Sequence, residues 1–197
     1  MPQQELLIKV LDVLGRLGIE SMLTGSWASS LHGVPRATHD VDLIVELNLA
    51  QIEPLAAAFP APEYYLSTSA MRDAVERKRM FNLLDVFDGD KVDFWLLTDS
   101  PFDQSRFSRK SLSRLGNIDL FVASPEDTIL SKLDWAQRSG GSEKQFGDAL
   151  QIYEIQAATL DHEYLRRWSR ELRIDSLFDR MVAESQYSED DALPPPF

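Results

Sequence analysis

Apolar residues at Leu6, Leu7, Val10, Leu11, Leu14 and Leu17 recur at helical spacing and are closed by Gly18, which predicts a helix over 5–17. Residues 19–24 form a short apolar run ending at Gly25-Ser26 and read as a strand, and Trp27 to His32 reads as a short helix stopped by Gly33 and Pro35. In 40–47, Val41, Leu43, Ile44 and Val45 sit between polar flanks, the pattern of a central strand. Asn48 suits the N-cap of a helix running to Phe59, where Pro60-Ala61-Pro62 breaks the chain. An amphipathic helix is expected over 69–79. Two strand-like runs, 82–87 and 91–97, are separated by Asp88-Gly89-Asp90 and predict a hairpin. Residues 118–122 are one more short strand.

From Ser124 onward the periodicity is helical. Ser124-Pro125-Glu126-Asp127 supplies a cap, a proline for the first turn and acids for the positive end of a helix dipole. Helices are expected over 127–137, 143–157, 161–171 and 174–183. The expected organisation is an α/β part with a small mixed sheet over 1–123, a C-terminal helical bundle over 124–187, and a patternless tail over 188–197 that is expected to be mobile.

Composition narrows the chemistry. The 197 residues include no cysteine, which excludes thiolate zinc sites, thiol catalysis and disulfide scaffolds. No apolar run approaches the roughly 20 residues that a membrane span needs. Lys9 and Asp12 interrupt the apolar residues near the N-terminus, unlike a signal-peptide core, so a cytoplasmic protein without membrane contact is expected. The formal charge of −12 argues against broad nonspecific binding to nucleic acid, because phosphate affinity comes from Lys and Arg. Cations nevertheless cluster at Arg72, Arg77, Lys78 and Arg79 and at Arg106, Arg109, Lys110 and Arg114, either as solvated faces or as a local surface for a phosphate backbone.

Asp40 and Asp42 lie one residue apart at the start of a strand, so both carboxylates point to one face. Two such charges repel by about 1 to 4 kcal/mol at ~4 Å, depending on the effective dielectric, and call for a cation nearby. Mg²⁺ (or Mn²⁺) suits a small set of carboxylates and completes its shell with water and phosphate oxygens. Upstream, Gly25-Ser26 stands where a strand passes into a helix: the glycine permits close approach of a phosphate, and the serine hydroxyl and helix N–H groups can donate to it. Asp93 is an acid inside a run otherwise fit for burial, and a third carboxylate is what a two-metal centre requires. Arg36 and His39 flank the Asp40/Asp42 pair and could neutralise triphosphate charge. Trp27, Trp95, Trp135 and Trp168 read as core or helix-packing residues, and His32 and His162 lack a neighbouring metal ligand in the sequence.

Gly25-Ser26, Asp40-Val41-Asp42 and a later strand acid at Asp93 resemble the nucleotidyltransferase (polymerase-beta-like) fold. The stretch from Thr24 to Leu43, and Ser124-Pro125-Glu126-Asp127-Thr128-Ile129-Leu130-Ser131-Lys132-Leu133 followed by Asp148, resemble more closely the AbiEii-type nucleotidyltransferases of bacterial toxin-antitoxin systems. The resemblance covers roughly residues 20–180. It implies a catalytic domain over 1–123 that moves an NMP from an NTP to an acceptor hydroxyl on RNA, tRNA or a partner protein, with a cognate toxin or antitoxin as a further partner. By resemblance, Ser26 would contact the β- and γ-phosphates, Asp40 and Asp42 would hold two Mg²⁺ ions, and Asp93 would act at the ion nearer the acceptor. Lys132 matches a lysine facing the triphosphate, and Asp148 matches a later motif acid of no derivable role. Alternatively, Lys132 is a snorkelling surface lysine, Asp148 a helix-surface acid, and the chain a catalytically silent nucleotide-binding or protein-interaction module.

Overall fold

The computed structural model describes residues 2–38, 40–115 and 118–185. His39 and the 188–197 tail, for which roles or properties were expected above, lie outside the described residues. The chain divides into two compact units: Met1–Trp27 with Ala37–Ala123, and Ala28–Arg36 with Ser124–Phe197.

The first unit is built on a mixed sheet of seven strands: β1 (Glu20–Thr24), β2 (Asp40–Glu46), β3 (Tyr64–Leu66), β4 (Met80–Asp85), β5 (Lys91–Leu96), β6 (Ser111–Leu115) and β7 (Ile118–Val122). Their spatial order is β3-β4-β5-β2-β1-β7-β6. The pairs β2/β5 and β1/β7 run parallel, and the other neighbours run antiparallel. Strand β2 is central, as its apolar run requires, with Val41, Leu43, Ile44 and Val45 all buried. One face is lined by Leu23, Leu43, Phe94 and Phe81, which follow one another across β1, β2, β5 and β4. The Phe81 and Phe94 rings stack there at 4.8 Å. On the opposite face Met22 and Ile44 join Leu97, Phe107 and Ala123 in a second apolar cluster.

Helix α1 (Pro2–Arg16) buries Leu6, Leu7, Val10 and Leu14 of the expected stripe together with Val13, while Leu11 and Leu17 are half-buried, and Gly18 takes φ 63°. Asn48 is a cap as read, but its capping box with Gln51 closes a 3₁₀ turn over Leu49–Gln51, and the α-helix that follows, α3 (Ile52–Ala57), is short. Helix α4 (Thr68–Arg77) is capped by Ser67 and ends at Lys78 in the left-handed region. Between the hairpin strands β4 and β5, Gly89 takes φ 74° and Asp85 Oδ1 accepts from the amides of Phe87 and Asp88.

Three elements escaped the sequence reading. β3 and β6 are short edge strands with much exposed surface, so neither carries a strong apolar alternation. Helix α5 (Pro101–Ser108) buries only Phe102 and Phe107, too few for a stripe. Its start nevertheless repeats the Ser-Pro signal of Ser124-Pro125, with the Ser100 side chain accepting from the Asp103 amide.

The second unit holds the rest of α2 (Gly25–His32), whose first turn belongs to the sheet unit, together with α6 (Pro125–Arg138), α7 (Glu143–Gln156), α8 (His162–Glu171) and α9 (Asp175–Glu184). Its interior is made by Ile129, Leu130 and Leu133 of α6, Ala149, Ile152 and Tyr153 of α7, Leu165 of α8 and Phe178 and Met181 of α9. Residues 28–36 are tied to α7: the Gln156 amide donates to the His32 carbonyl at 2.9 Å, and a Cβ on Gly33 would come within 3.1 Å of Ile152. Ser124 caps α6 as expected. The acids behind it are not solvated, however: Asp127 is fully buried, accepting from the hydroxyls of Ser124 at 2.8 Å and Tyr164 at 2.7 Å.

Candidate active site

The two carboxylates of β2 and the acid of β5 are brought together by strand register. Asp42 is the Cα partner of Asp93, and Asp40 is the partner of Lys91, because β2 and β5 run parallel and in step. Side chains two residues apart share a face, so Asp40, Asp42, Lys91 and Asp93 all project from one side of the sheet. The row through Asp42 extends in both directions, to Thr24 on β1 and Asn82 on β4. Polar residues thus cross four adjacent strands at one level.

Gly25 lies at the end of β1, beside this row. Its φ of 64° is left-handed, and a Cβ placed there would stand 2.1 Å from Oδ2 of Asp42. The glycine is therefore demanded both by backbone conformation and by the carboxylate that fills the space. Ser26, the next residue, is half-buried in the first turn of α2.

Burial separates the three acids. Asp40 is exposed, Asp42 half-buried, and Asp93 only 7% exposed. Oδ1 of Asp93 is buried with no hydrogen-bond partner, whereas Oδ2 pairs with Lys91 Nζ at 2.9 Å. The same ammonium lies 3.4 Å from Oδ1 of Asp40. The cation that the acids call for is thus supplied by the chain itself, between Asp40 and Asp93. The hydrogen bond to Asp93 outweighs burial and holds the Lys91 pKa above its ordinary value. Among the described residues no three His, Asp or Glu side chains are gathered so that they could hold a metal ion as they stand. In kind the donors fit a hard divalent cation: carboxylate oxygens on neighbouring strands, one of them buried and lacking a donor.

Trp95 corrects its expected place in the core. It is 37% exposed, and its indole N–H donates to Oδ1 of Asp42 at 3.2 Å. Trp135, on α6, is 49% exposed and so lies outside the core. Lys91, Trp95 and Asn82 were not assigned to the site from the sequence. The alternation Lys91-Val92-Asp93-Phe94-Trp95 does put the first two on the Asp93 face, but only the pairing with β2 sets them beside Asp40 and Asp42.

Arg36, Lys132 and Asp148 form a separate cluster in the helical unit. Oδ2 of Asp148 accepts from Arg36 Nη2 and from Lys132 Nζ, each at 2.9 Å. Lys132 is 6% exposed and Asp148 9%, so neither is the surface residue of the alternative reading. Burial by itself would raise the Asp148 pKa, but the hydrogen bonds and charges of Lys132 and Arg36 together prevail and hold it below its ordinary value. The expected basic clusters are largely paired with acids: Arg72 with Glu53, Arg77 with Asp73, Arg106 with Asp103, Lys110 with Glu20 and Arg114 with Asp119.

Two solved structures share this architecture. The crystal structure of ANT(2'')-Ia in complex with adenylyl-2''-tobramycin superposes with a TM-score of 0.59 at 14% identity, covering 88% of this chain and 98% of that one. The solution structure of the antibiotic-resistance factor ANT(2'')-Ia gives 0.54 at 15% identity, covering 92% and 96%. The fold is that of the nucleotidyltransferases. Within this nucleotidyltransferase fold, Gly25 follows the strand next to β2, and Asp42 and Asp93 lie opposite each other on parallel strands. No protein-family model matches the chain, and no curated protein matches it.

Proposed function

We propose that this chain is a Mg²⁺-dependent (or Mn²⁺-dependent) nucleotidyltransferase that moves an NMP from an NTP to an acceptor hydroxyl on RNA, tRNA or a partner protein, as a toxin-antitoxin component. The observation that carries the reading is Asp93: a buried carboxylate oxygen without a hydrogen-bond partner, on a strand that sets it directly opposite Asp42. A buried acid left so is costly unless a cation or proton completes it. The fold supports the reaction class, and the AbiEii-type resemblance supports the biological setting.

In this reading Asp40, Asp42 and Asp93 hold the metal, which when bound neutralises the triphosphate and acidifies the acceptor hydroxyl. Gly25 keeps the backbone close to Asp42, and Ser26, at the start of α2, donates to the phosphates. Trp95 fixes the Asp42 carboxylate through its indole N–H. The acceptor oxygen bonds to the α-phosphorus while the bond to the bridging oxygen breaks, so pyrophosphate leaves and the hydroxyl proton is released. Within the helical unit, Arg36 and Lys132 share Asp148, and the AbiEii-type resemblance makes them candidates for phosphate binding.

A second reading, a silent nucleotide-binding or protein-interaction module, is favoured by one observation: Lys91 already pairs with two of the three acids. One experiment separates them. The protein is incubated with each α-labelled NTP and Mg²⁺ or EDTA in host lysate, and label is traced by nuclease and protease digestion. Mg²⁺-dependent label in nuclease-sensitive or protease-sensitive material is expected. NTP binding equal in Mg²⁺ and EDTA, with no label in any fraction, leaves the silent module.

A further inference from the structure

Lys91 is the unexpected member of the acidic cluster, and its position follows from two regularities. It is the cross-strand partner of Asp40 and stands two residues before Asp93 on the same face of β5, so its ammonium falls between them, at 3.4 and 2.9 Å. The fit is incomplete in a telling way. One Asp93 oxygen is paired with Lys91, while the other is buried with no donor. A single ammonium therefore leaves a nine-tenths-buried carboxylate half satisfied, beside Asp42 on the next strand.

The Lys91 side chain is also a third exposed. A lysine carries a point charge on a flexible stem and can turn out to water, whereas Asp93 has no such exit. We propose that Lys91 is a built-in counter-ion that holds Asp40 and Asp93 together in the metal-free protein and must swing out when a divalent cation enters, so that it sets the metal affinity of the site. This rests on the metal-dependent reading above and adds to it a competitor encoded on the chain. The consequence is a threshold: the carboxylates stay neutralised, and the sheet stays stable, until the divalent ion is abundant enough to replace the lysine.

The test is Mn²⁺ binding to the full-length protein, followed by the electron paramagnetic resonance of free Mn²⁺, without NTP or acceptor. Lys91→Met and Lys91→Gln are each expected to bind Mn²⁺ about tenfold tighter than wild type, since two partly exposed ion pairs no longer compete, and Lys91→Arg is expected to stay near wild type. Melting in EDTA should fall for Lys91→Met and Lys91→Gln, and Mn²⁺ should raise it by more than it raises wild type. If Lys91→Met folds only with metal, Lys91→Gln carries the comparison. Mn²⁺ affinity unchanged or weakened in both variants overturns the proposal. Asp93→Asn separates the two levels: loss of Mn²⁺ binding in that variant, with both Lys91 variants unchanged, removes the competing lysine but keeps the metal site. Binding that ignores Asp93 and Lys91 alike removes both.

Discussion

Oδ2 of Asp42 occupies the space that a side chain on Gly25 would need, with a Cβ there meeting it at 2.1 Å. The backbone turn and the carboxylate are therefore a matched pair. Gly25→Ala should destabilise the fold by about 1 to 3 kcal/mol from the left-handed backbone alone. It should also push Asp42 from its place, weakening Mg²⁺-dependent NTP binding. Chemical unfolding and calorimetric titration of the variant measure the two effects. Wild-type stability with wild-type NTP binding would mean that the close approach has no role.

Asp42→Asn is expected to abolish transfer while leaving the metal-free melting temperature at or above wild type. It removes one charge from a like-charged group, and its carbonyl can still accept from the Trp95 indole. Labelled-nucleotide transfer and thermal melting in EDTA check it. A marked fall in melting temperature would assign Asp42 a structural role.

Asp148 should behave oppositely, as a residue whose charge stabilises the native state. Removing it in Asp148→Ala leaves Lys132 buried without its carboxylate and should cost about 3 to 5 kcal/mol. The pH dependence has a definite sign. With its pKa lowered in the folded protein, Asp148 contributes fully above the ordinary carboxylate value and loses that contribution as pH falls through the lowered one. Urea unfolding at a series of acidic pH values should show a steeper loss of stability in wild type than in Asp148→Asn. Identical slopes would remove the linkage.

Much of this was legible in the amino-acid order, because its causes are local. An apolar run between polar flanks identified β2, two strand-like runs around a Gly-containing loop identified the hairpin strands, 3.6-residue periodicity identified α1 and the C-terminal helices, and Ser124-Pro125 marked the start of α6. The same local rules put Asp40 and Asp42 on one face and marked Asp93 as an acid in a buried run. The edge strands β3 and β6 and helix α5 bury too little to leave such a pattern.

Register was not legible, and register decides the chemistry here. A strand's alternation says which residues share its face, but not which residue of another strand stands opposite. Only the parallel pairing of β2 with β5 sets Asp42 against Asp93 and Asp40 against Lys91. It makes Lys91, at the start of β5, the partner of two acids. Folding likewise took Arg36 and Lys132, 96 positions apart in the numbering, to one oxygen of Asp148. Sequence determined which groups carry charge and which faces they occupy. Tertiary structure decided which charges meet, because burial and pairing energies depend on distances that no local pattern contains.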